Sequence, residues 1–176
     1  MTTARSSSGI ARPFRLVLAI AAAAGLMMAA PTLAQAHVRV HADNPTAGSF
    51  SALTFRVPTE SDTASTVEVQ VDLPQDTPFL FVSTKPLPGW TAQVSEQPLP
   101  KPVEVEGTQV TKAARSITWT ADQAAVIKPG EYQEFAISVG PLPAAGTVLL
   151  PATQTYSDGT VVKWDQPTPA GGEEPE

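Results

Sequence analysis

The sequence has 176 residues, 11 basic against 17 acidic side chains, and no cysteine. Three of the basic residues and none of the acidic ones precede position 37, so residues 37–176 carry a formal charge of −9. An acidic surface of this kind repels phosphate backbones, which argues against nucleic-acid partners, and it attracts cations.

Residues 1–36 are predicted to be a secretion signal peptide. Basic residues precede an apolar core over 16–30, and the small-residue sequence Ala-Gln-Ala that ends at Ala36 is typical of a signal-peptidase site. The core is shorter than the roughly 20 residues that a membrane span needs. We therefore expect cleavage before His37 and an extracytoplasmic location, whether secreted, periplasmic or associated with the cell envelope. An uncleaved N-terminal anchor is the alternative.

Residues 37–166 are predicted to form one all-β domain. Apolar and polar residues alternate over 37–41, 53–57, 67–73, 117–119 and 135–139. In the last four runs the apolar residues are expected to face inward, whereas over 37–41 the expectation is that His37, Arg39 and His41 share one face. Turn signals separate these runs, and the 16 prolines after position 36 argue against long helices. Seven to nine short strands in an antiparallel β-sandwich are expected, with 122–126 as the one candidate helical turn.

The last residues have a different composition. Residues 167–176 consist mainly of proline, glycine and glutamate. Such a segment lacks the apolar side chains that a packed core needs, so we predict a disordered acidic tail.

His37 is the residue with the most distinctive chemistry. A chain that begins at His37 carries an α-amine and an imidazole on one residue, and the two nitrogens can chelate a single metal ion. Both must lose their protons to bind, so affinity is expected to fall steeply below about pH 6. Nitrogen donors favour Cu(II) among the divalent ions. All three methionines precede His37 and there is no cysteine, which disfavours a dedicated Cu(I) carrier.

The other histidine, His41, is a weaker candidate. Four residues of straight strand span roughly 13 Å, too far for His37 and His41 to share one ion. A carboxylate is therefore expected as a further ligand, and spacing alone does not choose among the acidic residues.

Four segments of the chain resemble the YcnI-like family of exported bacterial copper-binding proteins. They are the sequence from His37 through "NPTAGSFSALTFRVPTESDTASTVEVQVDLP", then "PLPGW", "IKPGEYQEFAISVGPLP" and "PATQTYSDGTVVKWDQP". The resemblance implies a sandwich of immunoglobulin or cupredoxin-like shape. It also implies a monohistidine brace, in which an N-terminal histidine and a glutamate bind Cu(II) beside a tryptophan.

The family's site residues can be matched to positions of this chain. The histidine is His37, the glutamate best matches Glu60 after the Val-Pro of "FRVPTE", and the nearby tryptophan best matches Trp164. One Cu(II) per chain is expected. Asp158 and Asp165 remain alternative carboxylates, and the other two tryptophans, Trp90 and Trp119, are interpreted as packing residues.

The favoured function is an exported Cu(II)-binding protein, acting as a copper chaperone, scavenger or delivery module and not as an enzyme. The expected partners are the copper ion and other extracytoplasmic copper-handling proteins, and the expected state is a monomer or weak dimer. One alternative is a copper-dependent oxidase resembling polysaccharide monooxygenases, which use a second, distant histidine. Another is a metal-free adhesion or scaffold sandwich. The sequence has neither Gly-x-Ser-x-Gly nor His-Glu-x-x-His, so hydrolysis is disfavoured.

Overall fold

The computed structural model describes residues 37–144 and 146–166. The predicted signal peptide (1–36) and the predicted tail (167–176) lie outside the described residues. Within the described ranges the chain forms nine strands. They are β1 (Arg39–Ala42), β2 (Ser51–Pro58), β3 (Thr66–Asp72), β4 (Phe81–Thr84), β5 (Trp90–Val105), β6 (Thr108–Ala121), β7 (Tyr132–Gly140), β8 (Ala152–Tyr156) and β9 (Val161–Trp164).

The strands pair in two antiparallel sheets. The first has the order β1-β2-β7-β4 and the second the order β5-β6-β3-β8-β9. The predicted all-β sandwich is confirmed. No helix among the described residues is long and apolar enough to cross a membrane. The candidate helical turn at 122–126 is a hydrogen-bonded turn, in which the Ala125 N–H donates to the Asp122 carbonyl at 2.9 Å.

The space between the sheets is filled by the inward-facing apolar residues. The fully or almost fully buried ones include Leu53, Phe55, Val57, Val69, Val71, Ile117, Trp119, Phe135, Ile137 and Val139. Trp90 and Trp119 both contact Phe135, with ring centroids 4.8 and 5.2 Å apart, so their interpretation as packing residues is confirmed.

Strand β3 departs from the predicted alternation at its start. Val67 was expected to face inward with Val69, but it is only half-buried, and Thr66 is completely buried instead. The pairing of β3 with β8 shifts register between Thr66 and Glu68. A bulge of this kind inserts one extra residue and reverses which side chains face inward. The bulge therefore brings the Thr66 hydroxyl into the interior.

Strands β5 and β6 form a hairpin that is much longer than the short strands expected from the sequence. Pro98, Pro100 and Pro102 lie within β5. Proline lacks the N–H that a central strand needs, but β5 lies at the edge of its sheet, where that loss is tolerated. The hairpin turns at Glu106 and Gly107, both of which have positive φ (47° and 78°).

The turn before β5 gives a testable prediction on stability. Gly89 has a φ of 76°, and a Cβ there would lie 2.3 Å from the Ala125 Cβ. Gly130 has a similar φ of 78° but nothing within 4 Å of such a Cβ. Gly130→Ala should therefore lower the free energy of unfolding by about 1 kcal/mol through backbone strain alone. Gly89→Ala should lower it by about 2–4 kcal/mol because overpacking adds to the strain.

Urea unfolding of both variants measures the difference. Equal losses of stability would contradict the close packing of the Gly89 turn against Ala125.

Candidate metal site

His37 lies just before β1, which begins at Arg39 and not at the histidine. In the β1–β2 ladder Arg39 pairs with Arg56 and His41 pairs with Thr54. Strand β1 therefore begins beside the last residues of β2, which ends at Pro58. The histidine is thus placed at the end of the first sheet from which the chain continues to Glu60.

The ring of His37 contacts the indole of Trp164. The ring centroids are 5.0 Å apart and the planes meet at 70°, an edge-to-face arrangement that aromatic pairs favour. Both residues are half-buried. His37 precedes β1, an edge strand of the first sheet, and Trp164 ends β9, an edge strand of the second. The contact therefore joins the two sheets on one open side of the sandwich.

Trp164 is held in turn by Gln154, a completely buried side chain on β8. The Trp164 Nε1–H donates to Gln154 Oε1 at 3.2 Å. The Gln154 Nε2 group donates to the Pro58 carbonyl at 2.9 Å and also to Thr66 Oγ1. One amide thus connects the tryptophan to the end of β2 and to the bulge of β3.

The residue before Glu60 is anchored by both its backbone and its side chain. Thr59 donates its N–H to the Glu131 carbonyl at 3.0 Å. Its hydroxyl donates to the Ile127 carbonyl at 3.0 Å and lies 3.1 Å from the Thr66 hydroxyl. These bonds hold the backbone that leads into Glu60.

Glu60 lies beside the phenol of Tyr156. The Glu60 N–H donates to the Tyr156 hydroxyl over a long 3.4 Å, and the carboxylate oxygen Oε1 of Glu60 is buried. Burial raises the pKa of Tyr156 above its ordinary value. The negative charges of Glu60 and Asp158 raise that pKa further, whereas the Glu60 N–H lowers it. The phenol therefore keeps its proton at neutral pH and remains a neutral neighbour of the glutamate.

The other candidate ligands face solvent. The His41 side chain is 80% exposed, with Nε2 3.9 Å from Asp43 Oδ1. Asp165 is exposed. Asp158 is exposed too, and the Thr160 N–H that donates to its carboxylate lowers the pKa of Asp158. Glu60 is the one of the three proposed carboxylates whose side chain is partly buried.

Two of the residues predicted from the sequence are thus in direct contact, and the third is tied to the same region. His37 touches Trp164. Glu60 lies two residues after Pro58, and the Gln154 amide forms hydrogen bonds with both the Pro58 carbonyl and the Trp164 indole. Among the described residues there is no group of three or more His, Cys, Asp or Glu side chains that could hold a metal ion. The donors present, an imidazole and a carboxylate, suit a borderline ion such as Cu(II).

Sequence reasoning missed Gln154, Thr66 and Tyr156. Within "ATQTY", alternation places Gln154 on the same face as two buried residues, Ala152 and Tyr156. A buried amide needs hydrogen-bond partners, and this requirement could have identified Gln154 as a residue with polar contacts in the interior.

The chain is similar to known proteins in both sequence and structure. The model of the family described as Domain of unknown function (DUF1775) matches residues 37–176. The copper-binding protein CutI of Bacillus subtilis (strain 168) is 29% identical over 131 residues, which are 74% of this chain. The chain covers 56% of the length of that relative. An uncharacterized protein from Nocardia farcinica, whose crystal structure reveals an immunoglobulin-like fold, is 45% identical.

That solved structure superimposes with a TM-score of 0.64, over 79% of this chain and 91% of the other. The immunoglobulin-like shape expected from the resemblance is confirmed. The resemblance to the YcnI-like family is confirmed as well, and the chain belongs to the DUF1775 family.

Proposed function

We propose that the protein binds one Cu(II) ion outside the cytoplasmic membrane as cargo, as a copper chaperone, scavenger or delivery module. Removal of residues 1–36 exposes the α-amine of His37, which binds the ion together with the His37 imidazole and the Glu60 carboxylate. The observation that carries the proposal is the contact of His37 with Trp164 next to the anchored segment that leads into Glu60.

Two findings from the comparison with known proteins support the proposal. The similar protein from Bacillus subtilis is a copper-binding protein by name. The family match begins at residue 37, the residue expected to become the N-terminus. The proposed site does not need a third side chain, because His37 supplies its α-amine as well as its imidazole.

Trp164 has a supporting part in this proposal. An indole edge-on to His37 limits the positions that the imidazole ring can take and keeps water from one side of it. The tryptophan itself contributes no metal-binding atom, since its nitrogen carries a proton that is donated to Gln154.

The first prediction tests the α-amine as a ligand. One alanine added before His37 in the exported protein moves the amine onto another residue and should weaken Cu(II) binding by at least about 100-fold, more than a typical outer-shell change. Isothermal titration measures the affinity. His41→Ala is the control and should bind as the wild type does, because His41 faces solvent. Unchanged affinity in the extended protein would remove the amine from the site.

The second prediction concerns the carboxylate. Glu60→Gln keeps the shape of the side chain but removes its charge, and Cu(II) affinity should fall by at least about 10-fold. Asp158→Asn, which alters an exposed carboxylate of the same region, is the matched control and should leave the affinity unchanged. If Asp158→Asn weakened binding and Glu60→Gln did not, the ligand would be Asp158.

The third prediction concerns the oxidation state. Imidazole, amine and carboxylate donors hold Cu(II) better than Cu(I), which prefers sulfur. Ascorbate added to the Cu(II)-loaded protein should therefore release the ion to a Cu(I) chelator such as bicinchoninate, as followed by its colour. Copper that stays with the protein after full reduction would contradict this donor set.

A further inference from the structure

Gln154 is an unusual residue for the interior of a sandwich. It is completely buried, and its neighbours on the inward face of β8 are Ala152 and Tyr156. Burying an amide is costly unless its polar atoms are hydrogen-bonded. Here the oxygen and the nitrogen are both engaged, with three partners in three different strands, namely Trp164, Pro58 and Thr66.

The orientation of the amide is determined by these partners. The Pro58 carbonyl can only accept, so Nε2 must point toward β2, and Oε1 is then directed at the indole N–H of Trp164. The same side chain therefore fixes the indole and the end of the segment that carries Glu60. Trp164 needs such a partner because it ends a four-residue edge strand that pairs on one side only, with β8.

We propose that Gln154 is a positioning residue for the copper site: its amide sets Trp164 against His37, and the Pro58–Glu60 segment beside them, before the metal arrives. This inference rests on the proposed function. Groups that are already in place lose less freedom when the ion binds, so the hydrogen bonds of Gln154 raise the affinity without touching the metal.

Gln154→Leu tests the proposal, since leucine fills a similar volume, forms none of the three hydrogen bonds and adds no atom that could bind copper. Cu(II) affinity should fall by about 10- to 100-fold, as for other residues that orient metal ligands. The electron paramagnetic resonance spectrum of the bound Cu(II) should shift as its ligands reorient. In the metal-free protein, the Trp164 indole N–H should exchange with solvent faster than in the wild type.

Ile137→Ala is the control for a loss of stability. It removes a buried apolar side chain from β7, at a position that pairs with Leu53 and takes no part in the Gln154 hydrogen bonds. Its unfolding midpoint should fall, while its copper spectrum and indole exchange should remain those of the wild type. A general loss of stability would instead change the copper signals of both variants alike, and that result would overturn the proposal.

Other outcomes separate this inference from the proposed function. Wild-type copper affinity and spectrum in Gln154→Leu would overturn the positioning role alone. An indole N–H of Trp164 that exchanges as freely as a solvent-exposed one in the metal-free wild type would overturn it without any variant. Failure of the wild type to bind Cu(II), with its indole N–H protected, would overturn the proposed function instead.

Discussion

The structure of the candidate site depends on one buried amide between the two sheets. Gln154 donates to the end of β2 in the first sheet and to Thr66 of β3 in the second, and it accepts from Trp164. An apolar residue would fill the same space at lower desolvation cost, but it would leave the Pro58 carbonyl and the Trp164 N–H without these partners. Through this amide, the packing of the sandwich reaches the indole on which His37 rests.

Much of the fold could be predicted from the sequence, because period-two alternation reports directly on which strand faces are buried. The strands around Phe55, Val71 and Phe135 follow that rule and were expected. The rule fails at Thr66, where a bulge inserts a residue, and in β5, where three prolines resemble a loop but occupy an edge strand. Both exceptions depend on pairing between distant segments, which local pattern does not contain.

The residues of the candidate site were predicted from two different kinds of evidence. The chemistry of His37 follows from its position after a signal-peptide pattern, whereas Glu60 and Trp164 came from resemblance and not from spacing. The structure adds a physical connection among them, since His37 contacts Trp164 and the Gln154 amide joins Trp164 to Pro58, two residues before Glu60. That connection runs through residues up to 96 positions apart. Contacts between residues so far apart in the sequence can be identified only in the folded structure.

The proposed site requires one histidine to supply two nitrogens to one Cu(II) ion. Electron–nuclear double resonance on the exported, Cu(II)-loaded protein, with ¹⁵N in histidine alone, tests it most directly. We expect strong coupling to two histidine ¹⁵N nuclei, one amine and one imidazole, and loss of the amine coupling when the N-terminus is acetylated. A single strongly coupled histidine nitrogen, or an identical spectrum from a protein that does not begin at His37, would contradict it.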